Sequence, residues 1–168
     1  FTLYDLFSYQ EKHNEANGEQ NLDGNGWNFS SNCGYEGRTG RRFVLDMRNR
    51  QIVNAVSILM LGQGVPLLLA GDEFCNSQSG NNNAYCQDNR IGWLNWKKGE
   101  SFTWFSEVVA KLSEFRRSHP ILTLEVPMQL RDYMKKGFPD LSYHGESAWV
   151  SPFSLNKQAV GLLYCGEY

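Results

Sequence analysis

The chain has 168 residues, of which 41% are hydrophobic and 20% charged, with 16 Lys and Arg against 18 Asp and Glu. A chain this apolar is not disordered by composition, and a formal net charge of −2 without a basic run argues against a nucleic-acid partner held by phosphate contacts. No apolar run approaches the roughly 20 residues that a membrane-spanning helix needs, so no membrane partner is expected. The length suits one domain, or one domain and part of another.

The cysteines bear on the compartment. They lie far apart and show no CxxC spacing, which fits neither a zinc site nor a disulfide scaffold: Cys33, Cys75, Cys86 and Cys165. We therefore expect free thiols in a reducing, cytoplasmic compartment. Residues 1–10 lack the basic start and apolar core of a signal peptide. Because the chain does not begin with Met, we expect it to be a piece of a longer protein.

The first forty residues divide into a short helix and a long loop. Residues 1–10 predict a helical turn, with Leu3, Leu6 and Phe7 among its apolar residues. Residues 11–43 are polar and rich in Asn and Gly. A structureless loop of this length is uncommon in a compact domain, and when real it is usually functional. A flexible surface insertion is the alternative.

Two longer helices are predicted, over 44–63 and over 101–118. The first has an apolar stripe near helical spacing, formed by Leu45, Ile52, Val56, Leu59 and Met60. Its opposite, polar side carries Arg48, Asn49 and Gln51. The second has i, i+3, i+4, i+7 spacing in Phe105, Val108, Val109, Leu112 and Phe115. Pro120 ends it, because proline cannot continue a helix.

One buried strand is predicted between these helices. Residues 65–70, VPLLLA, form an apolar run of strand length between Gly64 and Gly71, as in a strand of a parallel sheet covered on both faces. The order of helix, strand, loop and helix indicates an α/β fold. Since one strand cannot form a sheet, we expect its partners elsewhere in a longer protein or in neighbouring chains.

The character of the sequence changes from about residue 123. Short β-prone runs at 147–153 and 159–168, with a turn at 154–157 between them, predict the start of an antiparallel β domain. We expect that the chain contains only the first part of this domain.

The most informative loop is GNNNAYCQDN at 80–89. Side-chain amides offer a donor and an acceptor side by side, and a carboxylate offers two acceptors. Vicinal sugar hydroxyls need such pairs, and aromatic faces suit the apolar face of a pyranose ring. The loop carries both kinds of group, in Asn81, Asn82, Asn83, Tyr85, Gln87, Asp88 and Asn89. The alternative to a sugar site is an Asn-rich turn whose side chains satisfy their own backbone.

Other candidate functional groups give weaker evidence for a site. Asp72 and Glu73 follow the predicted strand, but adjacent residues of an extended chain point opposite ways and cannot flank one bond. A supporting role for both is the better hypothesis. The three histidines are isolated, so no metal ligation is expected, and no motif for a phosphate or dinucleotide cofactor is present.

Together these segments resemble the isoamylase-type glycogen debranching enzymes of the α-amylase superfamily of glycoside hydrolases. The similar segments run in order through nearly the whole chain: 1–37, 48–74, 80–96, 115–122 and 141–145. The chain departs from the usual family pattern at Leu22, Ser31 and Tyr143.

The resemblance implies a fold. Residues 1–122 would be the last part of a (β/α)₈ TIM barrel, and residues 123–168 the start of a C-terminal antiparallel β domain. The run at 65–70 would be barrel strand eight, and the loop after it would lie on the catalytic face.

The resemblance also implies a function. The intact family cleaves α-1,6 branches of glycogen or amylopectin with retention, using carboxylates that would all fall before Phe1. This chain would then hold no catalytic residue and would be inactive alone. Its expected sugar contacts are Asn82, Asn83, Tyr85, Gln87 and Asp88, with Asp72 and Glu73 behind them. No cofactor is implied, and the expected partner is an α-glucan.

Two alternatives remain open at this point. The chain is a non-catalytic module that binds α-glucan, or it is a truncated piece without a function of its own. Self-association is also expected, because an unpaired barrel strand exposes backbone groups and an apolar surface.

Overall fold

The computed structural model describes residues 1–150, 153 and 159–168, without the side chain of Lys98. The described helices are α1 (Leu3–Leu6), α2 (Arg42–Leu61), α3 (Trp96–Ser101) and α4 (Thr103–Ser118), and the described strands are β1 (Leu141–His144) and β2 (Gly161–Tyr164). Short 3₁₀ turns cover Glu15–Asn17, Asp72–Phe74, Ala84–Cys86 and Pro120–Leu122. The chain divides into two compact units. The first unit is residues 1–60 and 66–113, and the second is residues 61–65 and 114–168.

The core of the first unit joins α2 to the start of α4. Its fully packed members are Ile52, Val56, Met60, Cys75 and Phe105. Burying a side chain of this kind stabilises the fold by about 1.5–3 kcal/mol, so the cluster fixes both helices. Cys75 brings the segment after the predicted strand into the same core. The two predicted long helices are confirmed, with boundaries shifted by about two residues.

One residue of α2 lies on the opposite side from the prediction. Arg48 was placed on the polar side of the helix, but its side chain is 1% exposed. The guanidinium donates to the carbonyls of Gly37, at 2.8 Å, and of Asn32, at 3.0 Å, and also bonds those of Ser8 and Tyr35. A planar fork with five donors is able to gather several loop carbonyls at once. Arg48 is therefore a buried clamp on the loop between α1 and α2.

The apolar stripe of α4 is only partly buried. Phe105 is fully enclosed, and Val108, Val109 and Leu112 are half-buried against the core. Phe115 was predicted in the same stripe but is 46% exposed, and its ring stacks on His119 with centroids 3.8 Å apart.

The prediction of a buried strand at 65–70 is wrong for this chain. The residues are neither strand nor helix up to Leu69, and Val65, Leu67 and Leu69 are 96%, 86% and 50% exposed. Leu68, between them, is half-buried against the core of the first unit. A strand forms only when neighbouring strands take up its N–H and C=O groups, and the described part of the chain places no partner beside this run.

The second unit contains a small antiparallel sheet. Strand β1 pairs with β2 in the register Leu141 to Tyr164 and His144 to Gly161. The run at 159–168 thus contains a strand as predicted, but its partner is 141–144, and residues 147–150 form turns instead. The predicted turn at 154–157 lies outside the described residues. The buried Arg116 guanidinium donates to the carbonyls of Gly62, Gly64 and Leu122 and holds this unit together.

Within the described residues, no helix combines the length and the apolar character needed to span a bilayer.

Candidate functional site

The candidate site lies in the first unit, where two loops meet. We call residues 11–41 the first loop and residues 71–95 the second loop. The buried carboxylate of Asp5 in α1 anchors the second loop, because it accepts from Ser77 Oγ at 2.5 Å, Gln78 N at 2.7 Å and Gly80 N at 3.2 Å. Gly80 O in turn accepts from His13 N of the first loop at 2.7 Å. Helix α1 therefore sets the position of both loops.

Side-chain amides join the two loops directly. Asn14 is completely buried, and its amide pairs with Asn82 in both directions. Asn14 Nδ2 donates to Asn82 Oδ1 at 2.9 Å, and Asn82 N donates to Asn14 Oδ1 at 3.0 Å. Asn17 Oδ1 accepts from Asn81 Nδ2 at 2.8 Å and from Gln87 Nε2 at 2.7 Å. The two Asn-rich loops thus form one network, which we call the amide junction.

A carboxylate of the first loop completes the amide junction. Asp23 Oδ2 accepts from Asn17 Nδ2 at 2.7 Å and from Asn83 Nδ2 at 2.9 Å. The hydrogen bond from Asn17 is the main reason that the pKa of Asp23 lies below its ordinary value, and the bond from Asn83 adds to it. Asp23 Oδ1 is buried and accepts no hydrogen bond from the described part of the chain. The junction therefore carries a fixed negative charge beside Asn83.

The five predicted sugar-contacting residues fall into two groups. Asn82 and Gln87 use both of their side-chain polar atoms within the protein. Asn83 Oδ1, the Tyr85 hydroxyl and one carboxylate oxygen of Asp88 have no hydrogen-bond partner among the described residues. All five lie in one short stretch of the second loop. Only the second group leaves polar atoms open to a ligand.

The exposed end of the second loop is aromatic. Tyr85 is 77% exposed on the 3₁₀ turn Ala84–Cys86. Asp88 Oδ1 accepts from Trp93 Nε1 at 2.9 Å, which orients the carboxylate beside an indole ring that is itself exposed. An exposed phenol, an indole and a carboxylate therefore stand next to the amide junction.

Asp72 and Glu73 both accept hydrogen bonds from backbone amides. Asp72 Oδ1 accepts from Leu3 N at 2.8 Å and its Oδ2 from Leu69 N at 3.2 Å, while Glu73 Oε2 accepts from Gly71 N at 2.9 Å. Burial is the main cause that raises the pKa of Asp72 above its ordinary value. The two residues lie on a 3₁₀ turn rather than on an extended chain, and their carboxylates serve different amides.

Sequence reasoning missed the contribution of the first loop. The sequence places Asn14, Asn17 and Asp23 in a long polar loop and predicts no individual role for them, yet they bond the side-chain amides of Asn81, Asn82, Asn83 and Gln87. The available signal was compositional, since the Asn-rich stretches 14–28 and 81–89 are the two places where side chains of this kind concentrate. Within the described residues, no cluster of three or more His, Cys, Asp or Glu side chains is arranged to hold a metal ion.

Known proteins resemble this chain closely. A glycogen debranching enzyme of Erwinia tasmaniensis is 52% identical over 126 residues, which are 73% of this chain and 18% of that enzyme. A glycogen debranching enzyme of Enterobacter sp. is 46% identical over 180 aligned residues, 97% of this chain and 27% of that enzyme. A protein of Mycobacterium bovis named Glycogen operon protein GlgX homolog is 44% identical over 121 residues, 72% of this chain and 17% of that protein. No family model matches the chain.

These identities extend over most of the chain and confirm the resemblance stated above. The chain belongs to the family of the glycogen debranching enzymes. It spans between 17% and 27% of the length of these three relatives.

Proposed function

We propose that this chain is a segment of a glycogen-debranching glycoside hydrolase and that its amide junction forms part of the α-glucan site. The observation that carries the proposal is the second group of residues, Asn83, Tyr85 and Asp88, whose unused polar atoms lie together on a loop held rigid from behind. Rigid placement matters because loosely held groups lose affinity when they are ordered on binding.

The chemistry of these groups fits a glucan. Asn83 Oδ1 and Asp88 accept hydrogen bonds from sugar hydroxyls, and the Tyr85 hydroxyl donates or accepts. The Tyr85 ring offers an apolar face to the C–H face of a pyranose. Asn82 and Gln87 contribute by fixing the loop, and through small shifts of their amides they also reach the sugar. Asp72 and Glu73 support the site from the backbone side.

The barrel is the proposed setting of this site. Residues 66–69 alternate between half-buried and exposed, as expected of a strand that keeps one face on its helices and lacks its neighbours. We assign this run to the closing strand of a (β/α)₈ barrel in the longer protein, with residues 1–122 in the barrel and 123–168 in a β domain. No disulfide joins the four cysteines, all of which lie within the described residues, and this supports the proposed reducing, cytoplasmic compartment.

The proposed reaction of the longer protein is hydrolysis of α-1,6 branches with retention. One carboxylate attacks the anomeric carbon while a second protonates the leaving oxygen, and water then releases the sugar. Both carboxylates come from outside this chain, so the 168 residues alone are inactive. The expected result is no release of reducing ends from glycogen by the chain, and release by the longer gene product. Hydrolysis by the isolated chain would contradict this.

Binding tests the site separately from catalysis. Calorimetric titration of the chain with maltoheptaose is expected to show saturable binding. Asp88→Asn is expected to weaken it about tenfold, as for the loss of one hydrogen bond to a charged group. Asp46→Asn is the matched control, since Asp46 is exposed on α2 and remote from the amide junction in sequence. Equal affinity of the two variants would remove Asp88 from the site.

A non-catalytic α-glucan-binding module is the second candidate function. It is favoured because the hydrogen bonds that form the amide junction join residues of the first unit. The gene distinguishes the two candidates. An open reading frame that continues upstream with a His-Asp pair before Phe1 supports the hydrolase, and a start codon next to Phe1 supports the module.

A further inference from the structure

A pair of exposed aromatic rings lies beside the amide junction. Trp27 and Phe29 of the first loop are 71% and 88% exposed, and their rings meet edge to face with centroids 5.9 Å apart. Two adjoining exposed rings form an apolar patch, and such patches mark contact surfaces more often than single exposed residues do. The sequence reasoning above assigned neither residue a role.

The backbone that carries this pair is held in place. Trp27 N donates to Asn25 Oδ1 at 2.9 Å, and Asn28 Nδ2 donates to Asn25 O at 3.3 Å. Phe29 has φ of +51°, a left-handed conformation that costs about 1–2 kcal/mol for a residue with a side chain. A turn without other constraints would relax from this conformation, so the surrounding contacts determine where the Phe29 ring projects.

The anchor of this turn is Asn82. Its Nδ2 donates to Asn25 O and to Asn28 Oδ1, both at 2.7 Å. Gly24 packs so closely against the same side chain that an added Cβ would lie 2.4 Å from Asn82 Oδ1. The aromatic pair is therefore fixed to the very residue that precedes Asn83, where the open polar atoms begin.

We propose that Trp27 and Phe29 form a stacking surface for further glucose residues of the α-glucan chain bound at the amide junction. The proposal rests on the proposed function and extends the site in the direction of the first loop. The occupant is a glucan because Asn82 bonds the turn that carries the pair and directly precedes Asn83 of the proposed glucan site. Each pyranose presents an apolar C–H face that matches an exposed ring, whereas its hydroxyls remain in water.

Chain length provides the test. Maltotriose is the short probe and is expected to occupy the amide junction alone, whereas maltoheptaose is the long probe and is expected to reach the aromatic pair as well. The full chain and its Trp27→Ala/Phe29→Ala double variant are titrated with both sugars. The variant is expected to bind maltoheptaose about three- to tenfold more weakly and maltotriose unchanged. Phe43→Ala is the matched control, since Phe43 is 72% exposed at the start of α2.

The outcomes separate this proposal from the function on which it rests. If the wild-type chain binds both sugars and the double variant keeps its affinity for maltoheptaose, the proposed stacking role of the aromatic pair is wrong, whereas the proposed sugar site at the amide junction is supported. If the wild-type chain binds neither sugar, the proposed site itself falls. If the double variant changes only the sedimentation of the chain, the pair contacts another copy and the proposal is overturned.

Discussion

Single carboxylates determine the shape of the first unit. Asp5 is completely buried in α1, and its two oxygens collect three donors from the second loop. Glu36 does the same for the first loop, accepting from Gln10 N at 2.8 Å and from Asn32 Nδ2 at 3.0 Å. Backbone N–H groups in irregular loops have no carbonyl partners in a helix or sheet, so buried carboxylates of this kind accept their hydrogen bonds instead.

Replacing Asp5 tests this role. Asp5→Asn turns one acceptor oxygen into a donor that faces other donors, and we expect a loss of about 2–3 kcal/mol in the free energy of unfolding. Urea denaturation followed by circular dichroism measures it. Asp46→Asn is the control, because Asp46 is exposed and its ion pair with Arg42 contributes little. Equal losses in the two variants would contradict the anchoring role of Asp5.

Glu36 predicts a pH dependence. Burial works to raise the pKa of Glu36, but hydrogen bonds from Gln10 N and the Asn32 amide outweigh it and hold the pKa below its ordinary value. A carboxyl with a lowered folded-state pKa stabilises the fold above the unfolded-state pKa, and this stability is lost as the pH falls through the folded-state pKa. The advantage of wild type over Glu36→Gln is therefore present at neutral pH and shrinks in acid.

Denaturation at a series of pH values checks the Glu36 prediction. Glu107→Gln, an exposed change on α4, serves as the control and is expected to show a smaller pH dependence. A difference between wild type and Glu36→Gln that stays constant from neutral pH down to about pH 3 would refute the linkage argument.

At the level of elements, the two loops behave as one structure because they pack as well as bond. Gly24 has φ of +72°, and an added Cβ would lie within 2.6 Å of Asn14 Nδ2 and closer still to Asn82. Gly18 has a similar φ of +80° but nothing within 4 Å of the added atom. Comparing Gly18 with Gly24 therefore separates the cost of backbone strain from the cost of crowding between the two loops.

Alanine at these two glycines measures the packing of the loops. Gly18→Ala is expected to cost about 1 kcal/mol from left-handed strain alone. Gly24→Ala carries the same strain and also displaces the Asn14 and Asn82 amides, so we expect a loss of about 2–4 kcal/mol, by analogy with the loss of buried hydrogen bonds. Chemical denaturation compares them. If Gly24→Ala is no worse than Gly18→Ala, the junction tolerates separation of its loops.

Some of the secondary-structure elements could be predicted from local sequence pattern, and others could not. Helices α2 and α4 follow from hydrophobic period, because their apolar residues meet the core through local spacing. The run 65–70 has the right composition for a strand, but a strand depends on partners that no local pattern supplies. Arg48 reads as a polar surface residue until the loop carbonyls that surround it are known.

The sequence shows which side chains the candidate site contains, but it does not show how they connect. The amides at 81–89 indicated a sugar-binding loop from composition alone. Asn14, Asn17 and Asp23 determine which of these amide side chains remain open to solvent. These three residues lie more than 50 residues away in the sequence and contact the amides only in the folded chain. Side-chain pairing across two irregular loops leaves no periodic signal in the sequence.

For the whole molecule, the exposed run around Leu67 predicts association. Leu67 is 86% exposed and Leu69 50% exposed, next to backbone groups that lack strand partners in the described part of the chain. Open edges and apolar runs of this kind pair with other chains. We propose that the isolated chain self-associates through this run, and that Leu67→Lys increases the monomer fraction in sedimentation velocity.

A control variant distinguishes association through this run from non-specific association through other exposed apolar side chains. Phe43→Lys removes an apolar side chain of similar exposure on α2 and is expected to leave the association unchanged. A wild-type chain that sediments as a single monomer with a cooperative melt would count against the exposed edge.

The most direct test of the central claim is a nuclear magnetic resonance titration of the 168-residue chain with maltoheptaose, following the backbone and side-chain amides. We expect saturable shifts that cluster at residues 81–88, with the Asn83 side-chain amide among the largest, and little change at 141–144. Shifts confined to the second unit, or none at millimolar sugar, would contradict a glucan site at the amide junction.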